Sequence, residues 1–164
     1  MASSERVQQV YATSYRRLVV QLTGVTGDPV EAEDVVMEAF ARAVNSSRAF
    51  ASVDNPEAWL RTVAVNLARS RWRRLVRLRE LTPKLVTRST YDDLPADRVA
   101  LLAALRTLPT AQREAIALHL ADLPVHEVAA TLGLPVGTVK AQLARGRARL
   151  AELLDTTQEE DRHV

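Results

Sequence analysis

A chain of 164 residues that is 47% hydrophobic but only 4% aromatic can bury one compact core or two small ones, filled by Leu, Val and Ala rather than by rings. It contains no cysteine, which excludes disulfides, a thiolate metal site and a cysteine nucleophile. No apolar run approaches the ~18 residues of a membrane span, and the N-terminus lacks a signal peptide's apolar segment, so a cytoplasmic protein with no membrane insertion is expected.

The formal net charge of +2 conceals a strong pattern along the chain. Arginines crowd Arg61 to Arg79, and Lys140 to Arg149 is basic again, whereas Asp28 to Glu38 and the tail after Asp155 are acidic. A polyanion responds to these local potentials rather than to the total. His119, His126 and His163 are scattered without carboxylates at ligand spacing. With no phosphate loop or nucleophile elbow either, no catalytic residue, metal or cofactor is expected.

Val7, Val10, Tyr11, Tyr15, Leu18, Val19 and Leu22 follow a helical spacing, predicting a first helix over residues 5–23 that Gly24 and Gly27 end. Asp28 or Pro29 opens a second helix. Its Glu31, Glu33 and Asp34 sit at the positive end of the dipole, and Val35, Val36, Ala39, Phe40, Ala43 and Val44 supply the apolar face. Residues 45–55 lack periodicity and read as a loop, with Phe50 as the one large apolar residue, tucked against the core by default.

Pro56 begins a third helix with Leu60, Val63, Ala64, Leu67, Leu75 and Leu78 on its core face. Thr62, Asn66, Arg69, Arg73 and Arg77 form a different stripe, bordered by Trp59, with Trp72 on the other side. A polar stripe ending in arginines and flanked by aromatic rings suits a nucleic-acid strand. Leu81 to Pro95, rich in Pro, Ser, Thr and Asp, reads as an interdomain linker.

Asp97 starts a helix through about Leu108, and Thr110 caps the next one, which ends before Asp122 and Pro124. Val125 to Leu132 and the residues from Thr138 onward then form a helix-turn-helix. Ala129 is small where the helices cross, Gly133 takes the turn, Pro135 precedes the second helix, and Val139 plugs the angle between them. The second helix carries Lys140, Arg145, Arg147 and Arg149 with no acid before Glu152, a pattern that meets phosphates. After Leu154 the polar tail is expected to fray. The fold class expected is all-α, with two small helical domains joined by a flexible linker.

Four segments taken in order, AEDVVMEAF (Ala32–Phe40), NPEAWLRTVAVNLARSRWRR (Asn55–Arg74), LPTAQREAIALHLADLPVHEVAATLG (Leu108–Gly133) and VGTVKAQLARGRARL (Val136–Leu150), resemble the bacterial extracytoplasmic-function sigma factors of the sigma-70 family. The resemblance covers about Tyr15 to Leu154. It implies sigma domain 2 over residues 5–80, a linker over 81–96, and sigma domain 4 over 97–155. It also implies an alternative sigma subunit that binds core RNA polymerase through the β′ clamp helices and β flap, recognises promoter DNA and assists its opening. An anti-sigma factor is the further partner implied.

Carried over by position, Asp34, Met37, Glu38 and Phe40 become polymerase contacts, with Met37 standing where the family usually has Gln. Phe50, Trp59, Thr62, Asn66, Arg69 and Arg73 fall on the minus-ten surface, Phe50 and Asn66 at positions that hold a flipped base. Thr138, Lys140, Ala141, Gln142, Arg145 and Arg149 fall on the minus-thirty-five surface. Many relatives have Ser and Arg at the positions of Ala141 and Gln142, so apolar contact with a thymine methyl replaces hydrogen bonding there. In the linker, Asp92 and Asp93 would mimic nucleic-acid charge. Without the first domain's motifs, a helix-turn-helix regulator that is no sigma subunit, or a helical adaptor for an acidic partner, would fit as well.

Overall fold

The computed structural model describes residues 2–81 and 94–162. Among them are eight α-helices and no strand, and the chain falls into two compact units, Met1–Thr90 and Tyr91–Val164. Residues 82–93, including Asp92, Asp93 and most of the expected linker, lie outside the described residues, as does His163.

The first unit contains α1 (Ala2–Thr26), α2 (Pro29–Asn45), α3 (Ser47–Ala51) and α4 (Pro56–Leu81). Val7, Val10, Leu18, Leu22 and Val25 give α1 a buried stripe against α2 and α4. Gly24 does not end α1, contrary to the sequence expectation. A helical glycine costs about 1 kcal/mol relative to Ala, and burial of Leu22 and Val25 on either side of it offsets that cost. The helix ends where Gly27 adopts φ +74°, a conformation that L side chains resist. Asp28 then caps α2 in extended geometry, its carboxylate accepting the Val30 and Glu31 amides at 2.8 and 3.4 Å.

Residues 45–55 are not wholly loop. Ser47 to Ala51 make the one-turn α3, which drives Phe50 completely into the core. In α4 burial stops at Ala68, so Leu75 is only half-buried and Leu78 lies exposed rather than on a core face.

The second unit contains α5 (Ala96–Thr107), α6 (Thr110–Leu120), α7 (Val125–Leu132) and α8 (Val136–Arg162). Thr110 is the first helical residue, not the cap. Pro109 takes the cap position and accepts the Arg113 amide at 3.0 Å, and no side chain caps the helix. The helix-turn-helix forms as its sequence dictates. Gly133 is left-handed at φ +67°, and the amides of Gly133 and Leu134 both close onto the Ala129 carbonyl. Ala129 and Val139 are buried at the crossing. Gly146 is the second close approach, since a Cβ there would lie 2.8 Å from Ile116 Cγ1 of α6. Past Leu154, where fraying was expected, α8 continues to Arg162. Between Leu154 and Arg162 there is no Gly or Pro, and Thr156 bonds back to the Glu152 carbonyl at 2.8 Å.

Candidate nucleic-acid interfaces and an acidic docking face

Trp59, Thr62, Asn66, Arg69 and Arg73 succeed one another along α4 at three- and four-residue steps, which places them on one side of the helix. Asn66 and Arg73 are exposed, and Trp59, Thr62 and Arg69 are half-exposed. Arg73 reaches Ser70 Oγ at 3.5 Å. The stripe therefore forms a continuous solvent-facing band with an indole at its N-terminal end, an amide at its centre and guanidinium groups beyond.

Phe50 does not join that band. Its ring is 0% exposed and meets Trp59 edge-on, with centroids 5.4 Å apart and planes at 67°. A base cannot stack on a ring with no open face, so Phe50, which the resemblance puts at a position that holds a flipped base, offers no stacking surface. Its position is beneath Trp59, as a wedge.

The run from Arg61 to Arg79 is also less uniformly basic than its sequence. Arg61 is buried, with Nε donating to Gln21 at 2.9 Å and the guanidinium 4.0 Å from Glu57, which Arg17 also holds at 3.1 Å. Arg71 turns away from the polar stripe and reaches α2. It lies 3.6 Å from Glu31, 3.8 Å from Asp34 and 3.0 Å from Glu38. Both arginines were missed as structural cations. Their helical phase was the available signal, because each lies five residues from Asn66 and so roughly 140° around the helix from it.

On α2, Asp34 and Met37 are exposed and Glu38 is half-exposed, with Arg42 3.5 Å from Glu38. Phe40 is buried, packed edge-on under Tyr11 at 5.1 Å, so it offers a partner no free side chain. It instead floors a shallow apolar groove between α1 and α2, walled by Val7, Tyr11, Met37 and Val44. Tyr15 stacks on Tyr11 at 4.8 Å, and burial, then the Glu33 carboxylate and Tyr11, raise its phenol pKa above the ordinary 10.0. α2 thus carries both features, the apolar groove on its α1 side and the acids Glu31, Asp34 and Glu38 towards Arg71 of α4.

On α8, Lys140, Ala141, Arg145 and Arg149 are exposed, and Thr138 and Gln142 are half-exposed, while Val139 and Leu143 point into the core. Arg149 is held by Glu152 at 3.3 Å. Among the described residues Lys140 and Arg145 make no ion pair, which leaves their charge to an external anion. No group of His, Asp or Glu among the described residues is arranged to hold a metal ion, and no helix there is long and apolar enough to cross a membrane.

Fold and surfaces together define a helical DNA-binding protein with a helix-turn-helix in one unit and a second cationic helix, beside an acidic face, in the other. Residues 9–78 match the family described as sigma-70 region 2, and residues 98–150 match sigma-70 region 4. The chain is 33% identical to the RNA polymerase sigma-E factor of Streptomyces antibioticus over 153 residues, 91% of this chain and 84% of that one. It is 34% identical to the ECF RNA polymerase sigma factor EcfG of Rhodopseudomonas palustris, over 84% of this chain and 78% of that one. Among solved structures, the sigma factor RpoE in complex with the anti-sigma factor NepR from Bartonella quintana superposes with a TM-score of 0.74 at 27% identity, covering 90% of this chain and 96% of that one. The chain belongs to the extracytoplasmic-function sigma factors of the sigma-70 family.

Proposed function

We propose that the protein is an alternative sigma subunit whose α2, with its exposed acids and its apolar groove, docks core RNA polymerase while α4 and α8 read the two promoter elements. The observation that supports this reading is the presence, in one chain, of an exposed acidic helix, α2, with two separate helices, α4 and α8, that carry exposed arginines. A simple helix-turn-helix regulator has no use for the first.

Asp34 and Glu38 attract cationic side chains of the β′ clamp helices, and Met37, over the Phe40 floor, contributes apolar contact where a Gln would hydrogen-bond. On α4, Asn66 reads the edge of an unpaired base, with Trp59 as the stacking surface and Phe50 holding Trp59 from behind. Thr62, Arg69 and Arg73 follow the strand. On α8, Lys140 and Arg145 meet phosphates or purine acceptors, Ala141 suits a thymine methyl, and Thr138, Gln142 and Arg149 flank them. The domain bounds 5–80 and 97–155 follow from the same reading.

The subunit makes and breaks no covalent bond. Duplex opening comes from tighter binding to the unpaired strand, and the polymerase supplies the chemistry. Its place of work is the cytoplasm, where an anti-sigma factor covering the docking and DNA faces is the regulatory partner. Run-off transcription by core polymerase plus this protein on a randomised promoter library tests the proposal. Enrichment of a two-part promoter is expected. Failure to enrich any sequence, with polymerase binding absent from a pull-down, would overturn it.

A further inference from the structure

Arg6, near the start of α1, is remote in sequence from residues 50–53, yet its side chain ends beside them. One guanidinium nitrogen donates to the Ala51 carbonyl and the other to the Val53 carbonyl. The guanidinium carbon lies 6.0 Å from the centroid of the Phe50 ring, within cation–π range. Arg6 is half-buried and has no ion pair among the described residues. Its donors serve a backbone turn instead of a carboxylate.

That turn is the connection between α3 and α4. Its other polar groups are largely satisfied locally: the Ser52 hydroxyl and amide bond the Ala49 carbonyl at 2.9 and 3.3 Å, and the Val53 amide bonds Phe50 at 3.3 Å. The Asn55 side chain caps α4 by accepting the Ala58 amide at 3.0 Å, and the Asn55 carbonyl accepts the Trp59 amide at 3.1 Å. Of the carbonyls that these bonds leave over, Arg6 takes two, those of Ala51 and Val53. A rigid guanidinium fork held on carbonyls two residues apart fixes the direction of the chain between them, which a lysine or water cannot do as well. Water could have satisfied surface carbonyls without ordering a long side chain, whose immobilisation is costly. What the fork adds is orientation. It sets where Asn55 begins α4, and it holds from one side the Phe50 ring that wedges Trp59 from the other.

From this we infer that Arg6 is a positioning residue for minus-ten recognition, acting through the 51–53 turn and Phe50 on Trp59 and the exposed side chains of Ser52, Asp54 and Asn55. The inference rests on the reading of α4 as the minus-ten surface.

The test uses holoenzyme assembled from core polymerase and full-length Arg6→Ala, Arg6→Lys or wild-type protein. Three quantities are read: competitive binding to core, fluorescence of 2-aminopurine placed in the minus-ten element as a report of base unstacking, and transcription from promoters altered singly at each element. For wild type, one wrong base costs about tenfold. For Arg6→Ala, the minus-ten penalty should shrink towards unity and the 2-aminopurine signal should drop, with core binding and the minus-thirty-five penalty unchanged. Arg6→Lys, which keeps the charge and loses the fork, should fall between. Unchanged minus-ten discrimination in Arg6→Ala overturns the inference, as does an equal loss at both elements or a parallel loss of core binding. If Arg6→Ala does not fold, Arg6→Lys decides, and a wild-type profile in it overturns the inference. Wild-type protein that yields no promoter-specific transcript defeats the sigma reading itself and is distinguishable from all these outcomes.

Discussion

At Gly146 the constraint comes from a neighbour rather than from the backbone. Its helix is regular there, but a Cβ would stand 2.8 Å from Ile116 Cγ1. Gly146→Ala should therefore destabilise the second unit by about 1–3 kcal/mol, despite the better helix propensity of Ala. A rise in thermal midpoint would show that Ile116 simply moves aside. Gly133 makes the opposite case, with nothing within 4 Å of its absent side chain but a φ of +67° that a Cβ resists. Only the second kind of glycine is readable in a sequence, because the turn between two helical periodicities announces it. Phe50 and Phe40 divide in the same way. Their motif positions were legible, but burial has given both rings to the core, where they shape a surface without being part of it.

Among the elements, α4 carries two sets of arginines, one facing solvent and one turned inward, with Arg61 bonded to Gln21 of α1 and Arg71 to the acids of α2. Arg71 touches three half-exposed or exposed carboxylates, and solvent screening keeps such interactions to about 1 kcal/mol or less. Arg71→Met is thus expected to lower stability by no more than that at low salt, with the difference vanishing towards ~1 M salt. Its larger effect should be tighter binding to core polymerase, because Glu31, Asp34 and Glu38 no longer share an internal cation. Weaker binding in a competition assay would refute that account of the face. On α8 the exposed Lys140 and Arg145 do no structural work. Replacing both with Ala should leave the thermal midpoint unchanged and reduce the slope of log affinity against log salt by about 1 for each phosphate they had neutralised. An unaltered slope would place the DNA elsewhere.

At the scale of the whole molecule, the chain divides into two units with separate cores. Such a chain should not unfold in one step. The calorimetric enthalpy is expected to exceed the van't Hoff value, and equality of the two would mean a single cooperative unit. Helix number in the second unit, the helix-turn-helix and the polar stripe were all legible in the sequence, because periodicity, caps and turn chemistry are local properties of a few adjacent residues. The end of α1, the one-turn α3 and the length of α8 were not, since burial around Gly24 and Phe50 overrode local preference and nothing in the tail stopped a helix already formed. The roles of Arg6, Arg61 and Arg71 were also hidden. Composition counts each simply as one more positive charge. Only tertiary packing, which brings the Ala51 carbonyl, Gln21 or Glu38 within a hydrogen bond of a guanidinium far away in the chain, decides which arginines stay open to solvent and which are tied into the fold.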